Sequence, residues 1–280
     1  MRKTLFIITA ILFPFICLGQ KMPSDYFDEA ETYYENGNIK KALRCYEYVV
    51  KRYPHNKLYP KALYNSAYCS FQLKKYKKTI KLCRGILSGN FYELESSGIR
   101  DIMSNPYANY KNRASSLISD SYFELQQWDS ALYYLSLCDT VYKFVSDCGN
   151  AYAENDVDMA VGYAKIYEKM NQKDKAIEKL LTIVFKDDLA YIDHALEYLR
   201  KLLAAKTGLK QELDKALENT YSKTVEHEID GTKTYKELYY FKFLNAEIQT
   251  PNDIFGLKYD KERAIYLVKK SKFYKMISEM

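Results

Sequence analysis

The fold of this chain is decided by residues 30–43, which read AETYYENGNIKKAL. Small Ala30 and Ala42 lie on either side of a turn at Gly37, and bulky Tyr46 follows at helical spacing. The same skeleton returns at three later places, residues 76–80, 128–132 and 173–177. Two helices approach closely where neither presents a large side chain, so the small residues mark helix crossings. One helix pair cannot bury its apolar face alone, and the repetition therefore predicts a stacked solenoid.

This pattern resembles the tetratricopeptide repeat (TPR), a helix–turn–helix of roughly 34 residues. Counted from Pro23, the first copy carries the family's small and bulky residues: Tyr26, Ala30, Tyr33, Ala42, Tyr46, Val49 and Pro54. We place the copies near residues 23–56, 60–93, 112–145 and 157–190, and the second departs from the pattern at Ser70 and Thr79. The resemblance implies an all-α, TPR-like superhelical solenoid that binds other proteins.

The chain divides into three predicted parts: a signal peptide at residues 1–19, a helical solenoid at 20–220 and a C-terminal region at 221–280. Extra sequence is expected near residues 90–109, between the second and third repeats, and near 146–155, between the third and fourth. After the fourth repeat, one more helix pair is predicted, with a break near residues 206–208.

The C-terminal region changes character. Asp230 and Gly231 stand between alternating residues, which predicts a β-hairpin. Residues 241–249 fit either a longer strand or a helix, and we favour a small β element. Residues 259–280 read as one closing amphipathic helix that begins near Asp260. Such a helix would cover the open end of the solenoid.

The N-terminus has the parts of a secretory signal. Arg2 and Lys3 precede an apolar run at residues 5–15, and Gly19 provides a small residue at the expected cleavage point. A membrane anchor is the alternative, although the apolar stretch is shorter than the roughly 20 residues of a spanning helix. The cleavage region resembles that of exported Bacteroidetes proteins, with Gln20 as the first mature residue. We expect export to the periplasm or cell envelope.

Positive charge is concentrated in one block. Residues 39–84 carry thirteen Lys or Arg and one acid, Glu47, whereas the whole chain has a net charge of +6. The densest part is a basic patch formed by Lys74, Lys75, Lys77, Lys78, Lys81 and Arg84. The patch fits a solvated helix face, or alternatively a surface that docks on anionic lipid or polysaccharide. Because of the export signal, we expect no nucleic-acid partner.

Five cysteines follow the predicted signal peptide, and an odd number cannot pair completely within one chain. Those in amphipathic helices are expected to act as small buried residues. A disulfide between Cys138 and Cys148 remains an alternative. No CxxC pair is present in the sequence, so a zinc site is not expected.

The sequence contains no recognisable catalytic set, and we expect neither an enzyme, a metal nor a cofactor. HExxH, a phosphate-binding glycine loop and GxSxG are all missing from it. Of three histidines, His194 is expected on a solvated helix surface beside Asp193 and Glu197. An enzyme site in the last 60 residues, around His227 and Glu228, is the alternative with the least support.

The resemblance also implies where a partner binds, because the first helix of each TPR lines a concave groove. Carried over to this sequence, the groove consists of Phe27, Glu31, Tyr34, Lys61, Tyr64, Tyr68, Phe71, Arg113, Asp120 and Phe123. The same positions in the third and fourth repeats include Glu124, Asp158 and Lys165. Aromatic and charged residues together suit an extended peptide. The alternative is that the aromatic residues pack only on neighbouring helices.

These observations lead to one functional hypothesis and one rival. The protein is predicted to be a non-catalytic protein-binding scaffold of the bacterial cell envelope that holds a peptide or protein in its groove. The rival is a surface-docking module that uses the basic block at residues 39–84.

Overall fold

The computed structural model describes residues 21–91, 107–229, 232–251 and 259–280. Within them, the predicted helix pairs are present as successive hairpins. They are α1 (Pro23–Glu35) with α2 (Ile39–Arg52), α3 (Tyr59–Gln72) with α4 (Tyr76–Ser88), α5 (Tyr110–Glu124) with α6 (Trp128–Thr140), and α7 (Gly149–Lys169) with α8 (Lys173–Leu181). The predicted further pair follows as α9 (Asp193–Leu203) and α10 (Leu209–Glu218). The all-α, TPR-like fold predicted from the sequence is confirmed.

The two helices of each hairpin meet at small residues. The facing pairs are fully or almost fully buried: Ala30 and Ala42, Ala67 and Thr79, Ser119 and Ala131, Ala164 and Ala176. The backbones are close enough at these points for side chains to bond to the opposite helix. The Ser119 hydroxyl donates to the Ala131 carbonyl at 2.8 Å. Where the sequence departs from alanine, a small hydroxyl residue therefore replaces packing with a hydrogen bond.

The hairpin turns share one backbone geometry, which fixes the register of the repeats. A residue with positive φ lies at the same place in each of the four hairpins: Gly37, Lys74, Gln126 and Asn171. The residue after it donates its N–H to a carbonyl five residues upstream in all four turns, as Asn38 does to Tyr33 at 2.8 Å. This is the Schellman ending of a helix. Gly37 adopts it freely and Asn171 more readily than most residues, whereas Lys74 and Gln126 do so at a cost of about 1 kcal/mol each.

The solenoid continues from the second repeat to the third. Helix α4 packs against α5, and Arg84 donates to the hydroxyls of Tyr122 at 2.8 Å and Tyr134 at 3.2 Å. The extra sequence predicted near residues 90–109 falls mostly outside the described residues.

Most of the extra sequence predicted near residues 146–155 belongs to helix α7, which begins at Gly149. Ala153, Val157, Ala160 and Ala164 are buried at helical spacing. This continuous apolar stripe extends the first helix of the fourth repeat toward its N-terminus.

The C-terminal region contains the predicted hairpin and one further strand. The sheet consists of β1 (Tyr221–Ile229), β2 (Thr232–Phe243) and β3 (Ala246–Gln249), antiparallel and in that order. Asp230 and Gly231 lie outside the described residues. Between β2 and β3, Leu244 and Asn245 both have positive φ. That turn normally favours Asn-Gly or Asp-Gly, so Leu-Asn gave no clear signal for it.

The prediction of a single closing helix at residues 259–280 is wrong. The structure has two helices, α11 (Lys261–Lys270) and α12 (Lys272–Ser278). Ser271 is extended between them, and its hydroxyl accepts the Tyr274 N–H at 3.1 Å. Asp260 caps α11 by accepting the Arg263 N–H at 3.0 Å, at the predicted start. The hydroxyl of Ser271 therefore caps the start of a separate helix.

Cys138 and Cys148 are both free thiols in the structure. Cys138 is buried between α5 and α6, where its Sγ lies 3.5 Å from the Asn112 carbonyl oxygen, while Cys148 is exposed. The alternative of a bridge between them does not hold here.

Candidate functional site

The candidate site lies on the inner face, by which we mean the surface formed by α1, α3, α5 and α7. Helices α3 and α5 contact each other directly although α4 separates them in sequence. First helices that approach each other in this way give the stack its curvature. Two cavities open on this face.

The first, the tyrosine cavity, has a volume of about 640 Å³. It is lined by Glu31, Tyr34, Glu35, Tyr46, Tyr64, Asn65, Tyr68, Cys69 and Arg113. Five predicted groove residues are therefore together: Glu31, Tyr34, Tyr64, Tyr68 and Arg113. Three helices and the buried Tyr46 of α2 hold the cavity open.

Tyrosine rings form one wall of this cavity. The Tyr68 ring stacks near Tyr64, with centroids 6.4 Å apart, and lies 6.3 Å from the Tyr34 ring. The Tyr34 hydroxyl accepts a hydrogen bond from Gln72 at 2.9 Å, which fixes its ring. Burial raises the pKa of Tyr64 further above its ordinary value.

Charged groups stand at the edges of the tyrosine cavity. Glu31 and Glu35 come from α1, and Arg113 comes from α5 on the other side. Lys61 lies 3.8 Å from Glu31, yet it does not line the cavity. Exposed ion pairs of this length contribute little, so the Glu31 carboxylate stays available to a ligand.

The second cavity, which we call the acidic cavity, has a volume of about 460 Å³. Its polar lining consists of Ser116, Ser119, Asp120, Glu124, Asp158, Lys165 and His194. The predicted groove residues Phe71, Asp120 and Phe123 line it as well. Helices α3 and α5 contribute to both cavities, which makes them neighbours along one groove.

Two carboxyl groups of the acidic cavity, those of Asp120 and Asp158, have raised pKa values. Asp120 is open to the cavity, but the surrounding helices displace much of the bulk water, and this desolvation raises its pKa to about 6. Glu124 adds repulsion, and Lys165 opposes the shift. Burial, followed by the charge of Glu154, raises the pKa of Asp158. A site that holds carboxylates at a cost in stability is a candidate for ligand binding.

Asp120→Asn is expected to stabilise the protein at neutral pH. A carboxyl with a raised folded-state pKa destabilises the fold where both states are ionised, and below about pH 4 both are mostly protonated and the effect largely disappears. Because water in the cavity screens the charge, the gain is on the order of 1 kcal/mol, or about 2–4 °C in melting temperature at pH 7.5.

Thermal unfolding of Asp120→Asn at pH 7.5 and pH 4 checks this expectation. Glu178→Gln, an exposed carboxylate on α8, is the matched control and should leave the melting temperature unchanged. A gain that persisted in full at pH 4, or no gain at pH 7.5, would contradict the electrostatic explanation.

Two predicted groove residues lie elsewhere. Phe27 is a core residue, with 3% of its surface exposed and its ring edge-on to Tyr46 at 5.3 Å. For Phe27 the alternative of packing on a neighbouring helix is the correct one. Lys61 places its ammonium 5.4 Å from the Phe27 ring centroid, which holds the lysine outside the cavity.

The basic patch is divided in the structure. Lys78 forms an ion pair with Glu47 at 2.5 Å, and Arg84 is bonded to two tyrosine hydroxyls. The other four are exposed: Lys74, Lys75, Lys77 and Lys81. Helix α4 contributes to neither cavity, so the patch and the groove are separate surfaces.

Sequence reasoning missed His194 as part of the groove. It lies on α9, beyond the four repeats, and was expected on a solvated surface. It is exposed, its ring stacks on Tyr191 at 5.8 Å, and it reaches the rim of the acidic cavity. Asn65 and Tyr46 were also missed, because neither occupies a groove position of the repeat.

Neither a metal centre nor a membrane-spanning helix is present in the described ranges. No three His, Cys, Asp or Glu side chains are arranged there to hold a metal ion. No helix in the same ranges has both the length and the apolar character that crossing a bilayer requires. The side chains of His227 and Glu228, on which the enzyme alternative depends, lie outside the described part.

Comparisons with known proteins point to the same repeat. The family model described as tetratricopeptide repeat matches residues 23–56, and no curated protein matches the chain. Similar solved structures include MamA from Desulfovibrio magneticus RS-1, at 16% identity and a TM-score of 0.47, with 69% of this chain and 89% of that chain covered.

Two further solved structures come from other bacteria. A thermophilic TPR protein of Thermus thermophilus is 17% identical, with 70% of this chain and 91% of that one covered and a TM-score of 0.42. A TPR protein from Parabacteroides merdae ATCC 43184 is 12% identical, with 70% and 77% covered and a TM-score of 0.37. The chain thus carries a tetratricopeptide repeat at residues 23–56, and the helices after it continue in a TPR-like solenoid.

Proposed function

We propose that this protein is a non-catalytic scaffold that holds an extended segment of a partner protein in the groove of its inner face. The observation that supports this most is the pair of adjoining cavities, lined mainly by the first helices of four consecutive repeats. Arg113 and Asp120, which lie in different cavities, are two turns apart on α5. That separation is about 10 Å, which is the length of about three residues of extended chain.

The composition of the groove suits a peptide better than a small molecule. Tyr34, Tyr64 and Tyr68 offer broad apolar faces with polar tips, and exposed Tyr68 needs no rearrangement to receive a ligand. The acidic cavity adds hydroxyls and carboxylates for polar contacts. Rigid helices carry all of these groups, so little conformational entropy would be lost on binding.

We also propose that the protein acts in the bacterial cell envelope. Support comes from the sequence of its first twenty residues, with Arg2 and Lys3 before an apolar run and a small Gly19. If cleavage occurs after Gly19, mass spectrometry of the intact protein recovered from the periplasm will give the mass of a chain that begins at Gln20. Recovery of the uncleaved chain in the membrane fraction would favour the anchor instead.

The Tyr34→Ala/Tyr68→Ala double variant is expected to bind groove peptides at least about tenfold more weakly, because buried aromatic anchors dominate such interfaces. Random nonapeptides displayed on phage and selected on the purified chain supply the probes. Affinity is then measured by fluorescence polarisation with individual selected peptides.

The matched control is Tyr133→Ala/Tyr266→Ala, which removes two tyrosines that are 59% and 49% exposed and line neither cavity. It should bind like the wild type. Circular dichroism confirms that all variants are folded. Selected peptides that bound the Tyr34 and Tyr68 double variant with unchanged affinity would exclude the groove as their site.

A further inference from the structure

The groove has the opposite charge to the rest of the protein. The chain as a whole carries +6, whereas the two cavities are lined by five carboxylates and two cations. The carboxylates are Glu31, Glu35, Asp120, Glu124 and Asp158, and the cations are Arg113 and Lys165. In each cavity the single cation is outnumbered. The potential along the groove is therefore negative inside a positive molecule.

The tyrosine cavity combines carboxylates with aromatic faces. Elsewhere this protein places lysines over tyrosine rings, as with Lys179 and Tyr163, where the ammonium is 4.4 Å from the ring centroid. The rings of Tyr34, Tyr64 and Tyr68 face a cavity and carry no such cation within the described part of the chain. Rings beside carboxylates form a site that attracts a cationic side chain.

The acidic cavity offers a second place for positive charge. Asp120 comes from α5 and Asp158 from α7, and both interact with Lys165, while His194 also acts on Asp158. Desolvation raises the pKa of both carboxyls, which means that their charge is poorly compensated in the free protein. A cation brought by a ligand would supply the missing compensation.

We propose that the segment bound in the groove is basic: a lysine or arginine side chain lies over the tyrosine cavity against Glu31 and Glu35, and a second lies against Asp120 and Asp158. This proposal rests on the proposed function and specifies the chemistry of its partner. An acidic segment would meet net repulsion in both cavities.

The same phage selection tests this proposal through the charge of the enriched peptides. The selected pool is expected to be rich in lysine and arginine relative to the unselected pool. Binding of individual peptides should weaken between about 50 mM and about 500 mM NaCl, because salt screens the contacts that are open to water. Replacing each basic residue with glutamate in turn identifies the two that matter.

Two isosteric double variants then locate the contacts. Glu31→Gln/Glu35→Gln and Asp120→Asn/Asp158→Asn should each weaken binding of a basic selected peptide by about fivefold or more. The matched control is Glu178→Gln/Glu262→Gln, which removes two exposed carboxylates outside both cavities. It changes the net charge equally, so an effect of overall charge alone would appear in all three.

The outcomes separate this proposal from the proposed function. Enriched peptides that were neutral or acidic, but still lost binding in the Tyr34→Ala/Tyr68→Ala variant, would overturn the basic segment and leave the groove intact. Peptides whose affinity was unchanged by the tyrosine variant and by both carboxylate variants would overturn both proposals. Equal weakening by the control and the groove variants would overturn the assignment of charge to these cavities.

Discussion

Replacing Phe273 with alanine will lower the free energy of unfolding by about 3–5 kcal/mol. Phe273 is on α12, and none of its surface is exposed. Its ring meets that of Phe185 edge-on at 5.7 Å and that of Phe243 at 6.1 Å. These contacts join the segment after α8, strand β2 and the last helix. Truncation would leave a cavity at the point where the sheet is attached to the solenoid.

Urea unfolding followed by circular dichroism measures this loss. Tyr266→Ala on α11 is the control, because half of that side chain is exposed and its removal should cost less than about 1 kcal/mol. A loss below about 1 kcal/mol for Phe273→Ala would show that the sheet is not part of the cooperative core. Unfolding in two separate steps would mean that the C-terminal region is only loosely coupled to the repeats.

The physical reason for this coupling is the open end of a solenoid. Phe185 also approaches Phe241 of β2 at 6.2 Å, and β3 packs against α8. Phe241 and Phe243 are both fully buried. A helix stack that stopped at α10 would expose this apolar surface, and the sheet together with α12 covers it.

Asn112→Ala will lower the free energy of unfolding by about 2–4 kcal/mol. Its side-chain amide donates to the carbonyl of Cys138 at 3.2 Å and to that of Tyr142 at 2.7 Å. Asn112 is buried, so the carbonyls of Cys138 and Tyr142 would both lose their partner, and the buried Cys138 carbonyl would gain little access to water. Unsatisfied buried carbonyls cost more than the mean hydrogen bond contributes.

Asn150→Ala provides the comparison, because Asn150 is exposed in the first turn of α7. In thermal and urea unfolding, Asn112→Ala should be much less stable than Asn150→Ala. Equal stability of the two variants would contradict the role given to the Asn112 amide. Asn112 also precedes Arg113, so the loosened hairpin is expected to weaken peptide binding in the tyrosine cavity as well.

The helices and their pairing were predictable because local sequence carries their signals. Ala30 and Ala42 mark a crossing, and Gly37 marks the turn between them. The same turn conformation at Lys74 and Gln126 was hidden, because these residues adopt positive φ under the constraint of the hairpin rather than by preference. The break at Ser271 was missed because a single serine in an amphipathic stretch can be either a helix cap or an ordinary surface residue, and the sequence does not distinguish the two.

The candidate site was predictable in part. The register of the repeat brought Tyr34, Tyr64 and Tyr68 to one face, and the structure places all three around one cavity. The register also assigned Phe27 to the groove, although its ring packs in the core against Tyr46. The register of the repeat predicts which face of a helix a residue occupies. That face is wider than the groove, so packing against neighbouring helices decides which residues at its edge are buried.

The sequence by itself determined that small residues would let paired helices touch, and that such pairs would stack into a solenoid with a basic block on one segment. The repeat register already placed Asp120 and Asp158 on the groove face, but only the tertiary structure brought His194 of α9 to the same cavity. It also decided that desolvation there would raise carboxyl pKa values. The reason is physical: helix pairing follows from contacts within about 34 residues, whereas cavities and their electrostatics depend on side chains that curvature brings together from distant repeats.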